Sequence, residues 1–194
     1  MNGTRIILAS QSPRRKQLLE WAEIPFEIMV QSTDESFPPG MPVPEVPVHI
    51  AREKGIAVRK KYEALHHDTN IIIAADTVVV LGNAIIGKPK DRADALDILA
   101  RLSGNKHQVI TCVVLLKGEQ EIAFADTTDV WFHPLTPEQI AFYVDKYQPY
   151  DKAGAYAIQE WIGVVGIKSV NGDFYNVMGL PVSRVVTELA NLIM

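Results

Sequence analysis

The stretch "RIILASQSPRR" narrows the possible folds of this chain more than any other, because an apolar run, "RIILA" (5–9), gives way within three residues to the pair Ser12-Pro13. The run predicts a buried strand. A hydroxyl residue followed by proline predicts a helix start, since serine caps free amide groups and proline lacks the N–H that would go unpaired in the first turn. That helix is expected to reach about Ala22. A buried strand feeding directly into a helix is the opening of an α/β unit.

No fixed-period repeat or low-complexity tract follows. The periodicity predicts a short strand "FEIMV" (26–30), a polar, proline-rich surface loop from Gln31 to about Pro47, and a helix over roughly Val48 to Tyr62. "NIIIAADTVVVLGNAIIG" (70–87) reads as an apolar strand, an acidic interruption at Asp76, and a hairpin turning at Gly82-Asn83. An amphipathic helix is expected at 91–102, stopped by Ser103-Gly104, then two antiparallel strands joined at Gly118-Glu119. A further helix begins at Thr136-Pro137 and runs to about Lys146. The last third predicts a strand around "GVVGIKSV", a turn at Asn171-Gly172 and a helix opening at Pro181, with Val182, Val185, Val186, Leu189 and Ile193 facing the core. The expected fold class is α/β: a mixed, largely elongated sheet flanked by helices, forming one domain over 1–194 in two lobes with a cleft.

At 194 residues, 47% hydrophobic and 22% charged, the chain has the composition of an ordinary globular protein. Its formal net charge of −4 gives nucleic acid no general electrostatic attraction, so any anion site must be local. No apolar run approaches the ~20 residues of a membrane span, and the N-terminus lacks signal-peptide features, so a cytoplasmic protein is expected. The single cysteine, Cys112, sits inside "VITCVVLL" and reads as a small buried hydrophobe.

Several constellations carry possible chemistry. In the turn from Ser10 to Arg15, first-turn amides and the helix dipole favour an anion, and Arg14 and Arg15 add donors matched to phosphate oxygens. Ser10 and Ser12 can donate as well; the same residues read equally as an ordinary cap beside two solvated arginines. Asp76 and Thr77 follow an apolar strand, and the cost of burying a carboxylate places Asp76 at the strand's carboxyl edge, as a metal ligand, a proton acceptor or a turn cap. Lys54 in "AREKG" and Lys88 in "GKPK" supply cationic groups, the latter in a turn defined by Gly87 and Pro89; singly, each also reads as a solvated lysine. Asp34-Glu35 is a loop acidic pair that is either a second metal ligand or plain surface. In "DKAGAYAIQ" (151–159) small residues permit close backbone approach, and Gln159 offers both donor and acceptor to the edge of a uracil or thymine. The five histidines show no zinc spacing, and no GxSxG elbow is present.

Seven segments, "LASQSPRR", "AREK", "AADTVV", "GKP", "LSGNKHQVIT", "DKAGAYAIQ" and "NGDFYNVMGLP", stand in order and register over about residues 5 to 190. In this the chain resembles the Maf family of nucleoside triphosphate pyrophosphatases. The resemblance implies a fold related to the inosine triphosphate pyrophosphatases, a homodimer, and cleavage of a nucleoside triphosphate between its α and β phosphates with a divalent cation, Mg²⁺ or Mn²⁺. It implies that Asp76 accepts the proton and, with Glu35, holds the cation, that Lys54 and Lys88 are catalytic, and that Ser10, Arg14 and Arg15 bind substrate. Arg14, Thr77 and Gln159 fall on the specificity positions in the form similar to the dTTP/UTP branch, with modified pyrimidine triphosphates as further candidates. The chain departs from the pattern at Glu160-Trp161, where a small glycine-containing stretch is common, which leaves fine base selectivity open. A nucleotide-binding regulator of cell division without hydrolysis is the competing reading. A nucleic-acid module or membrane protein is not expected.

Overall fold

The computed structural model describes residues 4–34, 36–66 and 70–193. Its strands are β1 (Arg5–Leu8), β2 (Glu27–Ile28), β3 (Asn70–Leu81), β4 (Ala84–Ile86), β5 (Lys106–Lys117), β6 (Gln120–Phe132) and β7 (Ile167–Asn171). They form one mixed sheet in the order β2-β1-β3-β5-β6-β7, with β4 paired to β3. β1 is parallel to β2 and β3, whereas the β3–β4 and β6–β7 pairs are antiparallel. The helices are α1 (Pro13–Trp21), α2 (Val46–Glu63), α3 (Arg92–Leu102), α4 (Pro137–Tyr147), α5 (Trp161–Gly166), α6 (Phe174–Met178) and α7 (Val182–Ile193). The chain divides into two compact units: residues 1–76, 111–126 and 179–194 form the first, and 77–110 with 127–178 the second.

In the first unit, α2 packs on one face of the sheet through Ala51, Val58 and Tyr62 against Ile7, Ile72, Ala74, Val114 and Leu116. The opposite-parity residues Ile6, Leu8, Ile71 and Ile73 are equally buried, so this part of the sheet is covered on both faces. Gly55 sets how closely α2 lies: a Cβ there would meet Leu116 Cδ1 at 3.1 Å and Ala74 Cβ at 3.2 Å. Two expectations change here. The strand at 26–30 shortens to Glu27–Ile28, both exposed, and Val186 on α7 is 43% exposed while Val185, Leu189 and Leu192 carry the burial.

In the second unit, α3 opens on Asp91, whose side chain accepts from Asp94 N–H at 2.9 Å, and α4 on a reciprocal Thr136–Gln139 capping box. The expected strand around 163–170 is instead α5 followed by β7. Valine and isoleucine suggest a strand, but Glu160 O accepts from Gly163 N–H (2.9 Å) and Val164 N–H (3.3 Å), and these contacts override the propensity. The short helix α6 carries no signal that the sequence reading identified.

His107, on β5, lies buried between Phe132 and Tyr156, with Nε2 2.7 Å from Tyr156 Oη. Its Nδ1 has no hydrogen-bond partner among the described residues. Burial pushes the imidazole down to about 4, because a second proton would be held in an apolar site. The unfolded chain therefore binds that proton first, near pH 6.5, and the folded one only near 4. The full contribution, about 3 kcal/mol, is present above pH 6.5 and is lost as the pH falls toward 4. Thermal melts of the wild type against His107→Gln across this window should show the steeper acid decline in the wild type; parallel curves would refute the linkage.

Candidate functional site

The first unit carries its candidate residues near the point where the parallel β1–β3 pairing ends at Leu8 and Ile73; open α/β sheets leave room for ligands beyond such strand ends. β1 ends at Leu8, and Ser12 caps α1 with extended backbone (φ −63°, ψ 118°), its hydroxyl 3.5 Å from Arg15 N–H. Ser10 Oγ accepts from Ser12 N–H at 3.2 Å and from Arg15 Nη1 at 3.2 Å. Arg15 Nε donates to Gly179 O at 2.7 Å. The adjacent arginines thus differ: Arg15 is buried and braces the turn, whereas Arg14 is half-buried.

β3 runs unbroken through Asp76, which corrects the expected interruption of the strand. Asp76 lies three residues past Ile73, the last β3 residue registered with β1, so it is at the end of that parallel pair but inside its own strand. The strand tolerates the charge because Lys54 Nζ reaches Asp76 Oδ1 at 2.9 Å, with the two side chains 19% and 14% exposed. Lys54 follows Ala51 by three residues and precedes Val58 by four, which puts it on the sheet-facing stripe of α2. Asp76 shares strand parity with Ile72 and Ala74, which meet that stripe.

Nearby Cys112 is fully buried. Burial first, and then the charges of Asp76 and Asp126, push its thiol up to about 12, so it is not a thiolate nucleophile at neutral pH. Asp34 directs its carboxylate to Ser36, accepting from its N–H at 3.0 Å and its hydroxyl at 2.9 Å. Glu35 lies outside the described residues. No group of three or more His, Cys, Asp or Glu side chains among the described residues could hold a metal ion.

The second unit holds Thr77, half-buried on β3, the exposed Lys88, and the exposed Gln159. The small residues of "DKAGAYAIQ" allow a close approach to β3: Gly154 has φ +72°, and a Cβ there would meet Val79 Cγ2 at 2.9 Å. Gly154 N–H donates to Gly87 O at 3.1 Å, which ties the segment carrying Gln159 to the turn carrying Lys88. Sequence reasoning missed Tyr143 and Lys152, which anchor this segment. A lysine set among small residues in "YDKAGAY" was the available signal, since a lysine is buried only with a partner; Lys152 is 8% exposed and lies 2.8 Å from Asp151 and 3.6 Å from Glu160.

The family model described as Maf-like protein matches residues 5–192. The dTTP/UTP pyrophosphatase of Cytophaga hutchinsonii is 46% identical over 192 residues, covering 99% of this chain and 86% of that protein. The protein of the same name from Bacteroides thetaiotaomicron is 44% identical over 189 residues, covering 97% and 96%. Among solved structures, the Staphylococcus aureus Ham1 protein matches with a TM-score of 0.49 at 16% identity, over 95% of this chain and 99% of that one. From a family match of that extent and relatives of that similarity, the chain belongs to the Maf family.

Proposed function

We infer that this chain hydrolyses dTTP and UTP to the nucleoside monophosphate and pyrophosphate. The observation that carries the reading is the near full-length similarity to proteins named dTTP/UTP pyrophosphatase, in a chain whose Lys54 and Asp76 are paired at 2.9 Å.

Cleavage between the α and β phosphates adds charge to the departing pyrophosphate. Cationic donors aimed there stabilise the transition state more than the ground state. In this reading Arg14, Lys54 and Lys88 hold phosphate oxygens, while Ser10 and Arg15 shape the turn at the start of α1 and add positive charge to it. Asp76 takes the proton of the attacking water, and Lys54, which donates to its Oδ1, holds the carboxylate in place. Thr77 and Gln159 face the nucleoside, and Gln159 matches the imide edge of uracil or thymine with a donor and an acceptor.

The described residues do not supply a cation cage made wholly of protein ligands. One carboxylate fits a cation that arrives on its substrate, because Mg²⁺ is held through one or two carboxylates together with phosphate oxygens. Asp76 would be that ligand, with Glu35 as the second. When bound, the cation supplies charge neutralisation on the phosphates. Magnesium, a cytoplasmic location and a homodimer belong to the same reading; no helix among the described residues is long and apolar enough to cross a membrane.

Purified protein with Mg²⁺ and a panel of nucleoside triphosphates should release pyrophosphate and monophosphate chiefly from dTTP and UTP, and a chelator should abolish the release. Silence across the panel would overturn the reading. Asp76→Asn should lower kcat by about a hundredfold or more, assayed at a temperature where the variant is folded; a folded variant with wild-type turnover would remove Asp76 from the chemistry. Gln159→Glu should lower kcat/KM for dTTP and UTP, because the carboxylate lacks the donor, and an unchanged preference for dTTP over GTP would exclude Gln159 as a base reader.

A further inference from the structure

Gln159 sits at the corner of a tight turn closed by a hydrogen bond from Glu160 N–H to Ala157 O at 3.1 Å. Ile158, 4% exposed, and Gln159 are its two central residues. Both ends of the turn are tied to one side chain on α4. The Tyr143 hydroxyl accepts from Ala157 N–H at 3.1 Å and donates to Glu160 Oε2. The other carboxylate oxygen of Glu160 faces Lys152 Nζ at 3.6 Å. Trp161 then meets Phe142 edge-on with ring centroids 4.8 Å apart, so two successive residues after Gln159 dock on two successive residues of α4. Gly163 closes the far side: its N–H donates to Glu160 O at 2.9 Å, and a Cβ there would lie 1.7 Å from Ile158 O.

We propose that Tyr143 and Glu160 are positioning residues that fix the aim of the Gln159 carboxamide, which makes Glu160 a determinant of base specificity in this chain. The proposal rests on the reading of Gln159 as the group that recognises the base. Hydrogen bonds weaken steeply away from their preferred angle, so a carboxamide on a loose turn would bind several bases about equally. With both turn ends held by one hydroxyl, the side chain of Gln159 starts from a fixed backbone and only its own rotamers remain to be ordered. This accounts for Glu160-Trp161 following the glutamine: the carboxylate closes the turn onto Tyr143 and the indole locks the exit. Loss of the carboxylate should spare phosphate binding and spoil discrimination between bases.

The test measures kcat and KM for dTTP, UTP, dCTP and GTP in the wild type, Glu160→Ala, Glu160→Gln and Tyr143→Phe, with amide hydrogen exchange over residues 152–163. Glu160→Ala should lower the ratio of kcat/KM for dTTP over GTP by about tenfold or more, mainly through a higher KM for dTTP, and should speed exchange at Ala157. Glu160→Gln, whose amide oxygen still accepts from Tyr143, should recover most of the ratio. A folded Glu160→Ala with an unchanged ratio, or one that loses activity on every nucleotide in equal proportion, would overturn the proposal. If Glu160→Ala does not fold, Tyr143→Phe, which removes a single oxygen, decides by the same ratio and the same exchange readout. A wild type with no preference among the four nucleotides would remove the base-reading role of Gln159 itself. A selective wild type with equally selective variants removes only the positioning role.

Discussion

An ammonium and a carboxylate meet 2.9 Å apart on the face of β3 that α2 covers, and much of the first unit is arranged to let them do so. The helix must lie close enough for Lys54 to reach the strand. Gly55, the next residue, permits that approach, since any larger side chain would press on Leu116 and Ala74. The apolar contacts of Ala51, Val58 and Tyr62 then hold the helix at that depth. A charge in the middle of a buried strand is ordinarily expensive, and the partner on α2 offsets it. The pairing is therefore a condition on the sequence at two distant places. An acidic residue at 76 requires both the lysine at 54 and the glycine beside it.

The start of α1 follows similar logic on a smaller scale. The chain carries a net charge of −4, so a polyanion is attracted only where cationic groups and free amides are concentrated. Arg15 contributes to this by turning inward. Its guanidinium bridges Ser10 and Gly179, fixing the loop between β1 and α1 from inside. With the turn braced by one arginine, the backbone that would present the first-turn amides to the proposed phosphate is already ordered. Less ordering is then left to occur on binding.

Much of this was legible in the sequence, though unevenly. Ser12-Pro13 marked the start of α1, Gly82-Asn83 the hairpin, and Thr136-Pro137 the start of α4, because each is local turn or cap chemistry that few alternatives satisfy. Asp76 was recognisable as special but was misplaced in its strand: nothing nearby in sequence reveals that Lys54 will neutralise it. The strand expected around 163–170 forms only from Ile167 onward, because its valines favour a strand but the N–H groups of Gly163 and Val164 bond back to Glu160 and coil the residues before it. Tyr143 stayed invisible for the same reason. Ala157 and Glu160, which its hydroxyl bonds, lie fourteen and seventeen residues away, a separation that no periodic pattern encodes.

The second unit suggests how the proposed recognition of phosphate and of base could be coupled. Gly154 is pressed against Val79 and bonded to Gly87, the residue before Lys88, while five residues further on the same segment presents Gln159. Lys88 and Gln159, proposed to hold phosphate and to read the base, thus share one backbone frame within a single unit. The distance between them is set by the fold and not by two independently mobile loops. A nucleoside triphosphate whose base is too large, or whose read edge lies at the wrong distance from its phosphates, could satisfy one of the two groups only by leaving the other unpaired. On the proposed roles, a polar group left unpaired once the substrate has displaced its water is costly, and the frame would convert a difference in base size into a difference in transition-state binding.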